Sequence, residues 1–87
     1  MKMIILIIKD HDADAITQTL TAAEYRVTRI ASTGGFLRSG VVTLLLGVDD
    51  DRVDSAIDLM RGKLGASPSG EKRATLFVVP VERYEQV

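Results

Sequence analysis

The chain has 87 residues, 46% of them hydrophobic and 26% charged, with a net charge of −1 and no cysteine. One small domain spanning 1–87 is expected, and the charge argues against a general nucleic-acid binder with a basic footprint. Without cysteine there are no disulfides and no thiolate metal sites, which fits a reducing cytosol. Mean hydropathy is +0.14, high for a chain this small, so part of the surface is expected to be hidden against copies of itself.

The start, MKMIILII, holds six consecutive apolar residues before Lys9 and Asp10. That is too short for a signal h-region or a membrane span, and the chain reads as a soluble, cytoplasmic protein without membrane insertion. Residues 3–8 predict a strand buried on both faces. Asp10 or Asp12 is expected to cap a helix in which Ala13, Ile16, Leu20 and Ala23 fall near helical spacing. Tyr25 to about Thr33 predicts a second strand, 34–39 a connection, and Gly40–Val48 a third strand, again apolar on both faces. The triple aspartate at 49–51 reads as the N-cap of a second helix, with Val53, Ala56, Ile57, Met60 and Leu64 as its apolar stripe. Gly65 to about Arg73, GASPSGEKR, is a loop by composition. Ala74–Val81 predicts a fourth strand, and Glu82–Val87 a short tail.

The order βαββαβ points to an α+β ferredoxin-like sandwich, an antiparallel four-stranded sheet with two helices on one face. The first and third strands are central in that topology, and they are also the two that fail to alternate. Helices covering one face would leave Ile, Leu and Val exposed on the other. The pattern therefore predicts an oligomer, a trimer or a dimer.

One stretch asks for more than a turn. In TRIASTGGFLRSG (28–40) two glycines are followed at once by Phe36 and Leu37. Arg26 and Thr28, two apart, are expected on one face of the second strand. Glycine-rich backbone can turn N–H groups toward an anion, arginine can grip a phosphate, and Phe36 offers a face for a nucleobase. These residues fit a nucleotide site. They fit equally a hairpin whose exposed hydrophobe packs locally, and the pattern alone leaves both open. His11 reads as a solvated loop residue. Asp12, Asp14, Asp54 and Asp58 fit solvated helix faces. No catalytic triad, Walker loop or dinucleotide fingerprint is present in the sequence, so catalysis is not expected.

Four segments, MKMII at the start, RVTRIASTGGFLRSG (26–40), GVDDDRV (47–53) and LFVVPVE (76–82), resemble the cyclic-di-AMP receptors of the PII-like signalling proteins. The resemblance implies a PII-like homotrimer with a ligand pocket between neighbouring subunits and no catalysis. Its ligand would be cyclic-di-AMP, with no metal and no further cofactor, and binding would be relayed to a protein partner. By the same resemblance Arg26, Thr28, Gly35, Phe36, Leu37, Gly47, Phe77 and Gln86 line the pocket, and Ala31, Thr33 and Gly34 shape it. Val41 stands where the family usually has an asparagine, so a polar ligand contact is lost there. The 65–73 loop is shorter than the family's, and Val87 replaces an aromatic at the tail. An alternative is a PII-like trimer that binds another adenine nucleotide or acts only through protein contacts. A ferredoxin-fold enzyme of the acylphosphatase kind would need an anion loop after the first strand, where the chain reads IKDHD.

Overall fold

A computed structural model describes residues 1–30, 40–65 and 73–87. The expected connection at 34–39 and most of the 65–73 loop lie outside these residues. The elements run β1 (Lys2–Lys9), α1 (Asp10–Ala22), β2 (Val27–Ile30), β3 (Val41–Val48), a 3-10 turn at Asp50–Arg52, α2 (Val53–Leu64) and β4 (Ala74–Pro80). They form one antiparallel sheet in the order β2-β3-β1-β4. This is the expected ferredoxin-like sandwich, with β1 and β3 in the middle.

Strand parity builds the core. Ile4, Leu6 and Ile8 of β1 face one side and sit opposite Leu46, Leu44 and Val42 of β3. All six are buried, and Ala13, Ile16 and Leu20 of α1 with Ala56 and Met60 of α2 close over them. Each large aliphatic side chain removed from water contributes about 1.5–3 kcal/mol, so this single layer between sheet and helices carries most of the stability. The alternate residues Met3, Ile5 and Ile7 face the other side, where no helix of the described residues lies.

The start of α1 differs from expectation. Its N-cap is Lys9, in extended geometry and without a side-chain cap bond, and Asp10 is already helical. Strand passes to helix with no intervening loop, so neither Asp10 nor Asp12 is free to cap. Both carboxylates still lie in the first turn, where the helix dipole favours negative charge. His11, expected in a loop, is in the same turn and exposed. At the other end Glu24 takes a left-handed φ of 69°, and the Tyr25 N–H reaches back to the Leu20 carbonyl at 3.0 Å. Tyr25 is buried, with the Arg52 guanidinium 4.2 Å over its ring. Arg52 also donates to the Ala23 carbonyl at 3.2 Å, so this cluster ties the end of α1 to the start of α2.

The aspartate run 49–51 also departs in part. Asp49 caps the 3-10 turn without a side-chain bond, and α2 begins only at Val53. Asp50 instead lies 2.9 Å from the Met1 ammonium, whose hydrogen bond holds the Asp50 carboxyl below its ordinary range.

Leu44 is fully buried against Leu6, so Leu44→Ala is expected to lower stability by about 2–5 kcal/mol, read by urea denaturation at fixed protein concentration.

Candidate functional site

The helix-free face is a row-by-row apolar surface. Register aligns Thr28, Leu45, Ile5 and Phe77 across all four strands. A second row runs Ile30, Thr43, Ile7 and Thr75. The central members shelter one another and are half-buried, whereas Phe77 and Ile30 on the edge strands are 53% and 46% exposed.

At one end of this face is a groove of 570 Å³. Met3, Thr28, Leu45 and Gly47 form its floor, and the end of β4 with the chain after it forms a wall through Pro80, Glu82, Arg83 and Tyr84. Pro80 ends β4, and the next residue is still pinned, since the Val81 N–H donates to the Met1 carbonyl at 3.1 Å. Gly47 is exposed and faces Met3 across the ladder. A Cβ there would meet the Met1 Cε at 2.8 Å, so the tip of a flexible side chain now fills the space the glycine leaves.

The opposite end of the sheet is charged. A smaller depression of 320 Å³ is lined by Ile7, Lys9, Val41, Arg73 and Thr75, among others. Arg73 donates to the Asp12 carboxylate at 3.0 Å and also to the Leu64 carbonyl. The Asp12 side chain is only 13% exposed, so it is not on the solvated helix face expected of it. Arg29 of β2 donates to Asp14 at 2.7 Å and to Asp10. The hydrogen bond to Asp14, then the charge of Asp10, raises the Arg29 pKa above its ordinary value. The first turns of α1 thus neutralise two arginines that sequence places far away. Among the described residues, no group of three or more His, Asp or Glu is arranged to hold a metal ion.

The expected site residues fall in different places. Thr28 and Gly47 share the groove. Arg26 is exposed and lies one residue before β2 rather than within it; the register carried back one step from Val27–Leu46 sets it beside Gly47. Phe77 is on the same face and in the same row as Thr28, separated from it by β3 and β1. Val41 is at the far end of β3, lining the other depression. Gln86 is exposed in the tail. Ala31, Thr33, Gly34, Gly35, Phe36 and Leu37 lie outside the described residues. Leu45 and Met3 were missed as groove residues; period-2 alternation along β3 from Gly47 would have found Leu45, whereas Met3 follows only from the β1–β3 register, which pairs it with Gly47. Arg83 and Tyr84 had no such signal, because the tail follows no periodicity.

A four-stranded antiparallel sheet in this order, with both helices on one face and a groove on the other, defines a ferredoxin-like sandwich of the PII-like kind. Residues 1–67 match the family model described as cyclic-di-AMP receptor, and the chain belongs to that family. The match takes in the 26–40 block and ends before Phe77 and Gln86. The chain is also similar to a solved structure, that of a functionally unknown protein from Pediococcus pentosaceus. The two are 28% identical and superpose with a TM-score of 0.77 over 99% of this chain and 96% of the other. No helix among the described residues is long and apolar enough to cross a membrane.

The Arg73–Asp12 pair is partly shielded, so Asp12→Asn is expected to cost about 1 kcal/mol of stability. A urea melt reads the loss, and Arg73→Gln added to Asp12→Asn should cost less than the sum of the two single changes.

Proposed function

We propose that the chain is a non-enzymatic signal-transduction protein, a homotrimer that binds cyclic-di-AMP in pockets between subunits and relays binding to a protein partner. Each subunit is one PII-like domain over residues 1–87, acting in the cytoplasm. The observation that carries the reading is the apolar, helix-free face spanned by Thr28, Leu45, Ile5 and Phe77, in a chain of the cyclic-di-AMP receptor family. A single subunit leaves this face to water, and burial against neighbours removes that cost.

The spacing of the site residues supports a pocket between copies. Val41 and Gly47 face the same side of β3 but are six residues apart, about 20 Å at ~3.3 Å per residue. Residues at both ends of the strand come together around one small ligand only if two subunits contribute them. Within that pocket Arg26 and the amides of Gly34 and Gly35 suit the phosphates. Phe36, Leu37 and Phe77 suit purine faces, while Thr28 and Gln86 suit adenine edges. Ala31 and Thr33 shape the wall, and Val41 supplies an apolar contact. Gly47 lets the ligand approach the backbone.

One observation favours a second reading. With Val41 in place of the family's asparagine, a polar contact is missing, and a trimer tuned to another adenine nucleotide, or acting through protein contacts alone, accommodates that change.

Calorimetric titration of the purified protein with cyclic-di-AMP, ATP, cyclic-di-GMP and AMP separates these readings. Heat is expected with cyclic-di-AMP and not with cyclic-di-GMP; silence with cyclic-di-AMP at concentrations well above micromolar overturns the first reading. Phe36→Ala is expected to weaken binding by roughly 1–3 kcal/mol through lost stacking. For the assembly, Leu45→Asp is expected to convert the trimer to monomer while the helices persist. Native mass spectrometry with circular dichroism checks both, and a trimer that survives the substitution would remove this face from the interface.

A further inference from the structure

The groove beside Gly47 has a wall that the family resemblance does not assign. Tyr84 lines it, at 62% exposure, with Arg83 and Glu82 next to it and Thr28 across the floor. The ring is not there to fill the core. Tyr25, the chain's other tyrosine, is 5% exposed and sits under Arg52. Among the described residues the exposed aromatic rings are Phe77 and Tyr84, and only Tyr84 shares the groove with Thr28 and Gly47. The tail that carries it is anchored three residues earlier, where the Val81 N–H is bonded to the Met1 carbonyl.

We propose that the segment Glu82–Tyr84 is part of the ligand site and that Tyr84 is a specificity-determining residue for adenine. An adenine lodged over Gly47 displaces the flexible Met1 side-chain tip that now fills that space and stacks on the Tyr84 ring, as purines do on exposed aromatic faces. The Thr28 hydroxyl can donate to a ring nitrogen, and the Glu82 carboxylate can accept from the exocyclic amine. Arg83 supplies a cation for the attached phosphate. Its present partner is Glu85 at 2.7 Å, in a pair whose side chains are 78% and 56% exposed, and a phosphate can displace so solvated a partner. The groove's 570 Å³ lies in the range of small-molecule sites, and its aromatic face, hydroxyl, carboxylate and guanidinium together fit an adenine nucleotide.

The inference rests on the nucleotide-receptor reading above, and its test separates the two. Wild type, Tyr84→Ala, Tyr84→Phe and Arg83→Ala are titrated calorimetrically with cyclic-di-AMP, or with whichever of ATP and AMP the wild type binds. Tyr84→Ala is expected to weaken binding roughly 5- to 100-fold, and Tyr84→Phe to restore most of that loss because the ring is kept. Arg83→Ala is expected to weaken binding and flatten its dependence on salt. The sequence has no tryptophan, so tyrosine emission gives a second readout. In a Tyr25→Phe background, stacked adenine is expected to quench Tyr84. Wild-type binding with unchanged affinity in Tyr84→Ala and no quenching overturns the inference and leaves the receptor reading standing. A wild type that binds none of the adenine nucleotides overturns both.

Discussion

Two central strands that are apolar on both faces, beneath helices that cover only one, set the terms for this molecule. β1 and β3 supply Ile4, Leu6, Ile8, Val42, Leu44 and Leu46 to the buried layer. By the same alternation they present Met3, Ile5, Ile7 and Leu45 on the other face. Strand parity leaves no intermediate arrangement, because shifting either strand by one residue exchanges the two sets completely. The helix-free face is therefore as strongly specified as the core. The candidate binding residues Thr28, Gly47 and Phe77 belong to it.

The two ends of the sheet are built differently. At the end where β1 runs into α1, three carboxylates within the first five residues of α1 hold Arg29 and Arg73. Arg29 is in β2, one residue before its end, and Arg73 immediately precedes β4. Charge is consumed in structure at that end. At the other end the groove keeps its polar groups available. Thr28, Glu82 and Tyr84 line it, and among the described residues the Arg83 guanidinium is engaged by an exposed neighbour two residues away. Arginine is present at both ends, but the partners differ. A guanidinium shared between two carboxylates is a strut, whereas one in an exposed local pair remains open to an anion.

Much of this was legible in the sequence because short-range pattern determined it. The continuous apolar runs gave β1 and β3 nearly to the residue, and the stripe Val53, Ala56, Ile57, Met60 and Leu64 gave α2. The aspartates misled, for a physical reason. Carboxylates near a helix start fit a cap, a dipole or a distant arginine equally well, and only tertiary structure shows that Asp12 meets Arg73, 61 residues away. The second strand was read too far back, since Arg26 has β-type neighbours but no ladder partner in the sheet. The block 26–40 named the family through its motif, while the groove beside Thr28 and Gly47 depended on Pro80 and the Val81–Met1 hydrogen bond steering a tail without periodicity.

The proposed placement of a ligand site on a face that also buries against neighbours would have a thermodynamic consequence. On the proposed reading, the nucleotide contacts two subunits at once, so it binds the assembled state and not the separated chains. Any such ligand stabilises the assembly by RT ln(1 + [L]/Kd) per site, about 2.7 kcal/mol at a hundredfold excess over Kd. Assembly in turn tightens ligand binding by the same coupling, because linkage is reciprocal. Signalling then needs no separate mechanical device in the sheet. The surface that a single subunit leaves to water becomes the element whose burial the nucleotide controls.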